Sequence, residues 1–328
     1  SRYAKCNADK QNASTNKMNA IRADLYRSLG NVENKISIIE STLMYKNIPY
    51  DFNWREYLDL NSDVRRVISD EYETKDNYEL YGFHERRMYK KSQLGNIITF
   101  IYCGGKCGGV TLFNTFKKKH IPCLHTHSDS EFIKNYVNCG SIYDLIKRNS
   151  ESHETIYIID SYRLPIERKI SSFFQNIELD VPDYETKSIH DLILRFNYQY
   201  IYNVNPLQNN EDYHPMDEMI RHLGIGPIEF KKTHGLLKHN NVVFIKLRFR
   251  DIDKWSDILY DITGKKLVLS NDNMSKHKSY SGLYEQFKKE YRVPKSYLEG
   301  LSQDAAFVAY NSPSERVDYL RYWMSRSE

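Results

Sequence analysis

Apolar residues recur at intervals of three and four from Ile21 through Leu25, Leu29, Val32, Ile36 and Ile39 to Leu43, the spacing that lines one face of an α-helix. This predicts a helix or helical hairpin over 20–46, broken near Gly30. The residues before it are polar and aperiodic and predict a frayed start. Over 48–92 the pieces are shorter. Amphipathic runs begin after Asn53 and Asn61, side chains suited to capping a helix, and Gly82 offers a terminator for the run YELYG. Phe52 and Trp54 read as core residues of this small helical stretch.

After Gln93 the pattern changes to apolar runs separated by helical periodicity. NIITFIY (96–102), IPCLHTH (121–127), TIYIID (155–160) and NVVFIKLRF (241–249) read as strands. Helices are expected in VTLFNTFKKKH, in LPIERKISSFFQ (164–175) with Pro165 in its first turn, and in DKWSDILYDITG (253–264), which closes on glycine. The tail after Ser279 is helical, and its last helix opens on a capping box of Ser312, Pro313 and Glu315. Strands alternating with helices predict an α/β fold, a central parallel sheet flanked by helices, with ligands at the carboxyl ends of the strands. The expected organisation is an N-terminal helical arm over 1–47, a small helical accessory module over 48–92, and an α/β domain with a helical C-terminal part over 93–328. The apolar face of the arm is also a candidate surface for self-association.

Composition narrows the function. Lys and Arg number 47 against 43 Asp and Glu, a net charge of +4 over 328 residues. That is too mild for a general nucleic-acid binder, though it leaves room for a local basic pocket. No apolar run approaches the ~20 residues of a membrane span, and the polar start lacks a signal-peptide core. Five unevenly spread cysteines are unlike a secreted disulfide framework. Together these predict a soluble chain in a reducing compartment, the cytoplasm.

The sharpest chemistry lies in Ile101-Tyr-Cys-Gly-Gly-Lys-Cys-Gly-Gly-Val-Thr-Leu112, between a strand and a helix. Glycines there let backbone N–H groups turn inward around a phosphate, and the helix N-terminus adds positive potential. It is not a Walker A loop, because Lys106 precedes the paired Gly108 and Gly109 and the hydroxyl is Thr111. A second segment follows another strand, with Arg163 at the strand end and Ser171 two helical turns on. Fork and hydroxyl could grip one phosphate.

Together these segments resemble the PAPS-dependent sulfotransferases (PAPS, 3′-phosphoadenosine 5′-phosphosulfate). The family's 5′-phosphosulfate loop, P-K-[ST]-G-[GT]-T-[TS]-[LW], is matched at Lys106, Gly108, Gly109, Thr111 and Leu112, with Gly105 in place of proline and with Cys107 and Val110 in place of hydroxyl residues. Its 3′-phosphate motif, R-x-P-x-x-R-x-x-S-x-[FY], is matched at Arg163, Pro165, Arg168, Ser171 and Phe173. VVFIKLRFRDIDKW resembles the late strand and R-[YF]-E-D-L turn, with Arg250 where glutamate is usual. The stretch from Asn271 to the C-terminus is similar to capsular polysaccharide synthesis proteins of bacteria and large DNA viruses, and the likeness offers Lys276 and Lys278 as residues of a loop over the nucleotide. The resemblance implies a P-loop-like fold and sulfuryl transfer from PAPS to a carbohydrate hydroxyl. It further implies adenosine 3′,5′-bisphosphate as product and no required metal.

Such a transfer needs a donor for the charge that develops on the leaving oxygen, here Lys106, and a base for the acceptor hydroxyl. His125 and His127 lie at the carboxyl end of the second strand and, two apart, share a face. Imidazole suits proton removal near neutral pH, and His127, nearest the strand end, is preferred. A rival reading gathers Cys103, Cys107, Cys123, His125, His127 and Cys139 as ligands of a structural zinc. Against it, Cys103 is expected within the buried strand and Cys107 in the phosphate loop. At the level of function the alternatives are a nucleotide-dependent kinase on the same fold and a non-catalytic carbohydrate-assembly protein.

Overall fold

The N-terminal periodicity produces a helix through residues 21–32, and Gly30 lies inside it rather than at a break. In the computed structural model the described residues are 18, 21–32, 35, 45–202, 214–231, 233–270 and 280–327. The expected continuation of the stripe through Ile36, Ile39 and Leu43 is outside them. Ile21, Leu25, Leu29 and Val32 are all exposed.

The chain divides into two compact units, Ser1–Lys90 and Lys91–Glu328. In the first, α1 (Trp54–Leu60) is capped by Asn53, whose side chain accepts from the N–H groups of Arg55 and Glu56. Asn61 does not cap by its side chain. Its amide instead donates to the carbonyls of Tyr57 and Met88, both at 2.8 Å. Phe52 and Trp54 pack on a core of Tyr57, Leu58, Val64 and Tyr78. Gly82 does not end its helix. The helical path runs from α2 (Glu71–Asn77) through a wide turn to Glu85, and the left-handed stop is Arg86, φ 56°. Gly82 is needed for closeness, since a Cβ there would lie 2.7 Å from Tyr57 Oη and 2.8 Å from Tyr78 Cδ2. Tyr57 is fully buried and donates to Asn77, so it cannot swing away. Gly82→Ala is therefore expected to cost ~1–3 kcal/mol as overpacking, read as a lower urea midpoint at unchanged slope.

The second unit is α/β. Six strands, β1 (Thr99–Tyr102), β2 (Cys123–Thr126), β3 (Ile156–Tyr162), β4 (Phe230–Lys231), β5 (His234–His239) and β6 (Val242–Arg248), form one sheet in the order β2-β1-β3-β6-β5-β4. The first four in that order are parallel, and β5 and β4 add an antiparallel edge. The sheet is thus mainly rather than wholly parallel, because left-handed Asn240 (φ 53°) closes a tight hairpin between β5 and β6.

The helices relevant to the site are α3 (Gly109–Lys118), α4 (Asp129–Asn135), α5 (Ile142–Ser152), α6 (Pro165–Gln175), α7 (Ile189–Phe196), α8 (Pro215–His222), α9 (Trp255–Thr263), α10 (Ser281–Glu290) and α11 (Pro313–Met324). On one sheet face Ile101, Ile159, Ile245 and Leu247 pack with Leu112 and Phe116 of α3 and Trp255 and Leu259 of α9. Alternation sends Phe100, Ile158 and Phe244 to the opposite face, and α5 and α8 lie against β3. A second, aromatic core joins α6, α7 and α10 to the C-terminal helices through Phe173, Phe174, Phe196, Phe287, Tyr291 and Trp323. It anchors α6 beside the glycine-rich turn. Among the described residues no helix is long and apolar enough to cross a membrane.

Candidate functional site

β1 delivers the chain into Cys103 and the glycine-rich turn, and α3 begins at Gly109. Lys106 (φ 66°) and Gly108 (φ 91°) have left-handed backbone, whereas Cys107 and Gly109 do not. Alternating φ sign turns consecutive N–H groups into one concavity, an anion nest, and the first turn of α3 adds unsatisfied N–H groups behind it. Gly108 is required twice over, by its φ and because a Cβ would sit 2.9 Å from Trp255. Lys106 carries the same backbone without being glycine, a strain of ~1–3 kcal/mol that tends to persist at functional sites.

The segment from β3 into α6 holds this turn by its carbonyls. Ser161 Oγ donates to the carbonyl of Cys107, Arg163 donates to that of Lys106 at 3.1 Å, and Arg168 Nε to that of Gly105 at 3.0 Å. In a trans peptide the carbonyl and the following N–H point in opposite directions. Three carbonyls drawn toward β3 and α6 therefore aim the N–H groups of Lys106, Cys107 and Gly108 the other way. The two sequence motifs meet here at hydrogen-bond distance. Lys106 Nζ donates to Gln175 Oε1 at the end of α6. The Arg163 guanidinium lies 4.5 Å from the Phe249 ring, and its Nε is buried without a hydrogen-bond partner.

The remaining loop residues divide by exposure. Cys107 is fully buried, its thiol turned inward toward the Gly105 carbonyl and its pKa raised by burial, so only its backbone faces the nest. Val110 is exposed and Thr111 half-buried in the first turn of α3, and Ser171 is half-buried on α6. Lys276 and Lys278 lie outside the described residues. Arg250 pairs with Glu315 at 2.6 Å, and Arg248 with both Asp251 and Glu315. These ion pairs tie the turn after β6 to the N-terminal cap of α11, while its Phe249 packs toward Gly108 of the loop.

The histidines do share a face, with ring centroids 4.7 Å apart and edge-on. Their environments differ. Burial, and then the neighbouring His127, push the His125 pKa down to about 3, which keeps its ring neutral and makes it a weak base. His127 Nδ1 lies 2.7 Å from the carbonyl oxygen of Cys103. A carbonyl can only accept, so Nδ1 carries a proton, and in the neutral ring Nε2 keeps the lone pair. Glu131 holds the His127 backbone N–H at 2.6 Å. Its position was open to reading from Ser128-x-x-Glu131, an N-terminal signature of α4, where Ser128 caps Glu131 N–H. Of the six residues of the zinc reading, the fold brings together Cys103, His125 and His127 and not Cys107, Cys123 or Cys139. Cys103 lies just past β1 rather than within it, yet it is fully buried.

A buried ionic cluster sits beside the loop and escaped the sequence reading. Lys246 of β6, register partner of Asp160 on β3, donates to Asp160 at 2.6 Å and to Asp217 of α8 at 2.9 Å, and Tyr310 donates to Asp217. Burial opposes the charge on Lys246, but the two carboxylates outweigh it and hold its pKa above the ordinary range. Burial pushes the Asp160 carboxyl above the usual carboxylate range despite that neighbour. The available signal was one lysine and one aspartate directly after the apolar runs of β6 and β3. Comparison of the chain with protein-family models, with curated proteins and with solved structures finds no match.

Proposed function

We propose that this chain is a PAPS-dependent sulfotransferase that moves a sulfuryl group to a hydroxyl of a carbohydrate acceptor in the cytoplasm. The observation that carries this reading is the bracing of the Gly105–Lys106–Cys107 carbonyls by Ser161, Arg163 and Arg168, which leaves a nest of N–H groups at the carboxyl end of β1. The donor set fits a group with two anionic ends: the nest and α3 for the 5′-phosphosulfate, and the buried Nε of Arg163 with Ser171 for the 3′-phosphate. When bound, PAPS supplies the electrophilic sulfur and a bisphosphate leaving group.

The chain's residues then have separate roles. Lys106 donates a charged hydrogen bond to the oxygen that gains charge, and His127 Nε2 accepts the acceptor's proton while Nδ1–H stays on the Cys103 carbonyl. Free thiols at Cys103, Cys107, Cys123 and Cys139 suit a reducing compartment. The exposed stripe on residues 21–32 is the surface proposed for self-association.

Thermal shift separates the candidates. Adenosine 3′,5′-bisphosphate should stabilise the chain most. The strongest shift with magnesium-ATP would favour a kinase, although Asp160, buried within the neighbouring strand β3, is already taken by Lys246 and by the Ser161 N–H. A shift with glycan alone would favour an assembly protein. Arg163→Ala should weaken adenosine 3′,5′-bisphosphate binding by ~1.5–3 kcal/mol and AMP binding by much less, the latter only through the lost brace on the Lys106 carbonyl, whereas Ser171→Ala should weaken the bisphosphate slightly and leave AMP unchanged, measured by titration calorimetry. Equal losses for both nucleotides would remove the 3′-phosphate assignment.

A further inference from the structure

We propose that Cys103, His125 and His127 form a binding site for a soft divalent cation such as Zn²⁺, and that an ion held there competes with the acceptor's proton for His127. The competition rests on the reading of His127 as the base; the site itself does not. One donor atom from each residue lies within 4.8 Å of the others, and Cys103 Sγ is 3.9 Å from His125 Nε2. Zinc bonds of ~2.3 Å to sulfur and ~2.0 Å to nitrogen, set at a tetrahedral angle, bring the two donors to ~3.6 Å. A small side-chain adjustment covers the difference.

The backbone builds the convergence. The thiol follows β1, the imidazoles stand on and just beyond β2, and the two strands are paired in register, Ile101 opposite His125. A Cβ at Gly109 would fall 2.3 Å from His125 Nε2 and 2.5 Å from Cys103 Sγ, so the pair close up only where residue 109 lacks a side chain. Thiolate with two imidazoles selects zinc-like ions over magnesium or calcium, and three protein ligands leave a fourth position open. On binding, the Cys103 thiol releases its proton to solvent. Ligation through Nε2 leaves the Nδ1–H bond of His127 to Cys103 O in place, the outer bond that ligating histidines ordinarily make. It also consumes the lone pair that would accept the acceptor's proton.

The test uses the full chain, reduced and stripped of metal with chelator, then titrated with Co²⁺ alone. The expected result is near-ultraviolet thiolate-to-cobalt charge-transfer absorption with visible bands of tetrahedral strength at one ion per chain. Both should be lost in Cys103→Ser and kept in Cys123→Ser. Absence of the charge-transfer band, or its survival in Cys103→Ser, overturns the site. If Cys103→Ser does not fold, His125→Asn takes its place and should weaken Co²⁺ binding. In a turnover assay with PAPS, Zn²⁺ should lower the rate to that of His127→Ala, and chelator should restore it. Full Co²⁺ binding with undiminished turnover in Zn²⁺ overturns the competition and removes His127 as the base. No turnover in the metal-free chain removes the proposed reaction and leaves the spectra to decide the site.

Discussion

Replacing Lys106 by alanine is expected to lower turnover by ~10²–10³, the usual loss when one donor to a developing oxyanion is removed. The side chain can be tested this way because it bonds Gln175 at the exposed end of α6, and exposed contacts of that kind change stability by only ~0.5 kcal/mol. Alanine meets the same left-handed backbone as lysine, so the strain at φ 66° is carried by both. The loss should therefore fall on kcat, with the melting temperature nearly unchanged and with adenosine 3′,5′-bisphosphate binding weakened much less than the rate. Gln175→Ala is the control for the resting contact: it frees the lysine without removing it and should leave turnover within a few-fold. Turnover of Lys106→Ala within a few-fold of wild type would take the residue out of the mechanism.

How much of this was legible depended on the range of the interaction. Local rules read well. Pro165 opens α6, Gly264 takes the left-handed position after α9 at φ 67°, and Ser312 with Glu315 forms the capping box of α11, because each is decided by residues within a turn. Two other glycines were the exception. Gly30 lies inside a helix and Gly82 serves a close approach between aromatic rings, and nothing nearby in sequence distinguishes these uses from a stop. The antiparallel edge was missed because β5, HGLLKH, is half polar without clean alternation and its pairing turns on Asn240.

At the site, period two in β2 gave the shared face of the histidines. The feature that separates them, a hydrogen bond from His127 to a carbonyl 24 residues away, depends on the pairing of β1 with β2. The arginine bonds to the loop carbonyls likewise span 57 and 63 residues. Two recognisable motifs could be read individually, whereas their contact through carbonyls rather than through a common ligand could not. Lys246 with Asp160 shows the same limit: each is an anomaly in its own strand, and only the register between β3 and β6 makes them a pair.

That hydrogen bond also makes the base testable by two different substitutions. His127→Ala removes both ring nitrogens, and His127→Asn keeps an N–H close to the Nδ1 position, able to hold the Cys103 carbonyl, while removing Nε2. If Nε2 accepts the proton, both variants should lose ~10²–10⁴ in kcat at saturating acceptor, with adenosine 3′,5′-bisphosphate binding unchanged because the nest and the arginines are made by other segments. Should His127→Asn retain turnover, the residue acts by holding the end of β1 and is a positioning residue. His125→Asn provides the contrast: a ring whose pKa burial has pushed to about 3 has little basicity to offer, so its removal should change the rate by no more than a few-fold in protein that remains folded by circular dichroism. A larger loss for His125 than for His127 would reverse the assignment. Glu131→Gln, which weakens the hold on the His127 backbone N–H without touching the ring, should fall between the two, because it alters where the base sits and leaves its chemistry intact.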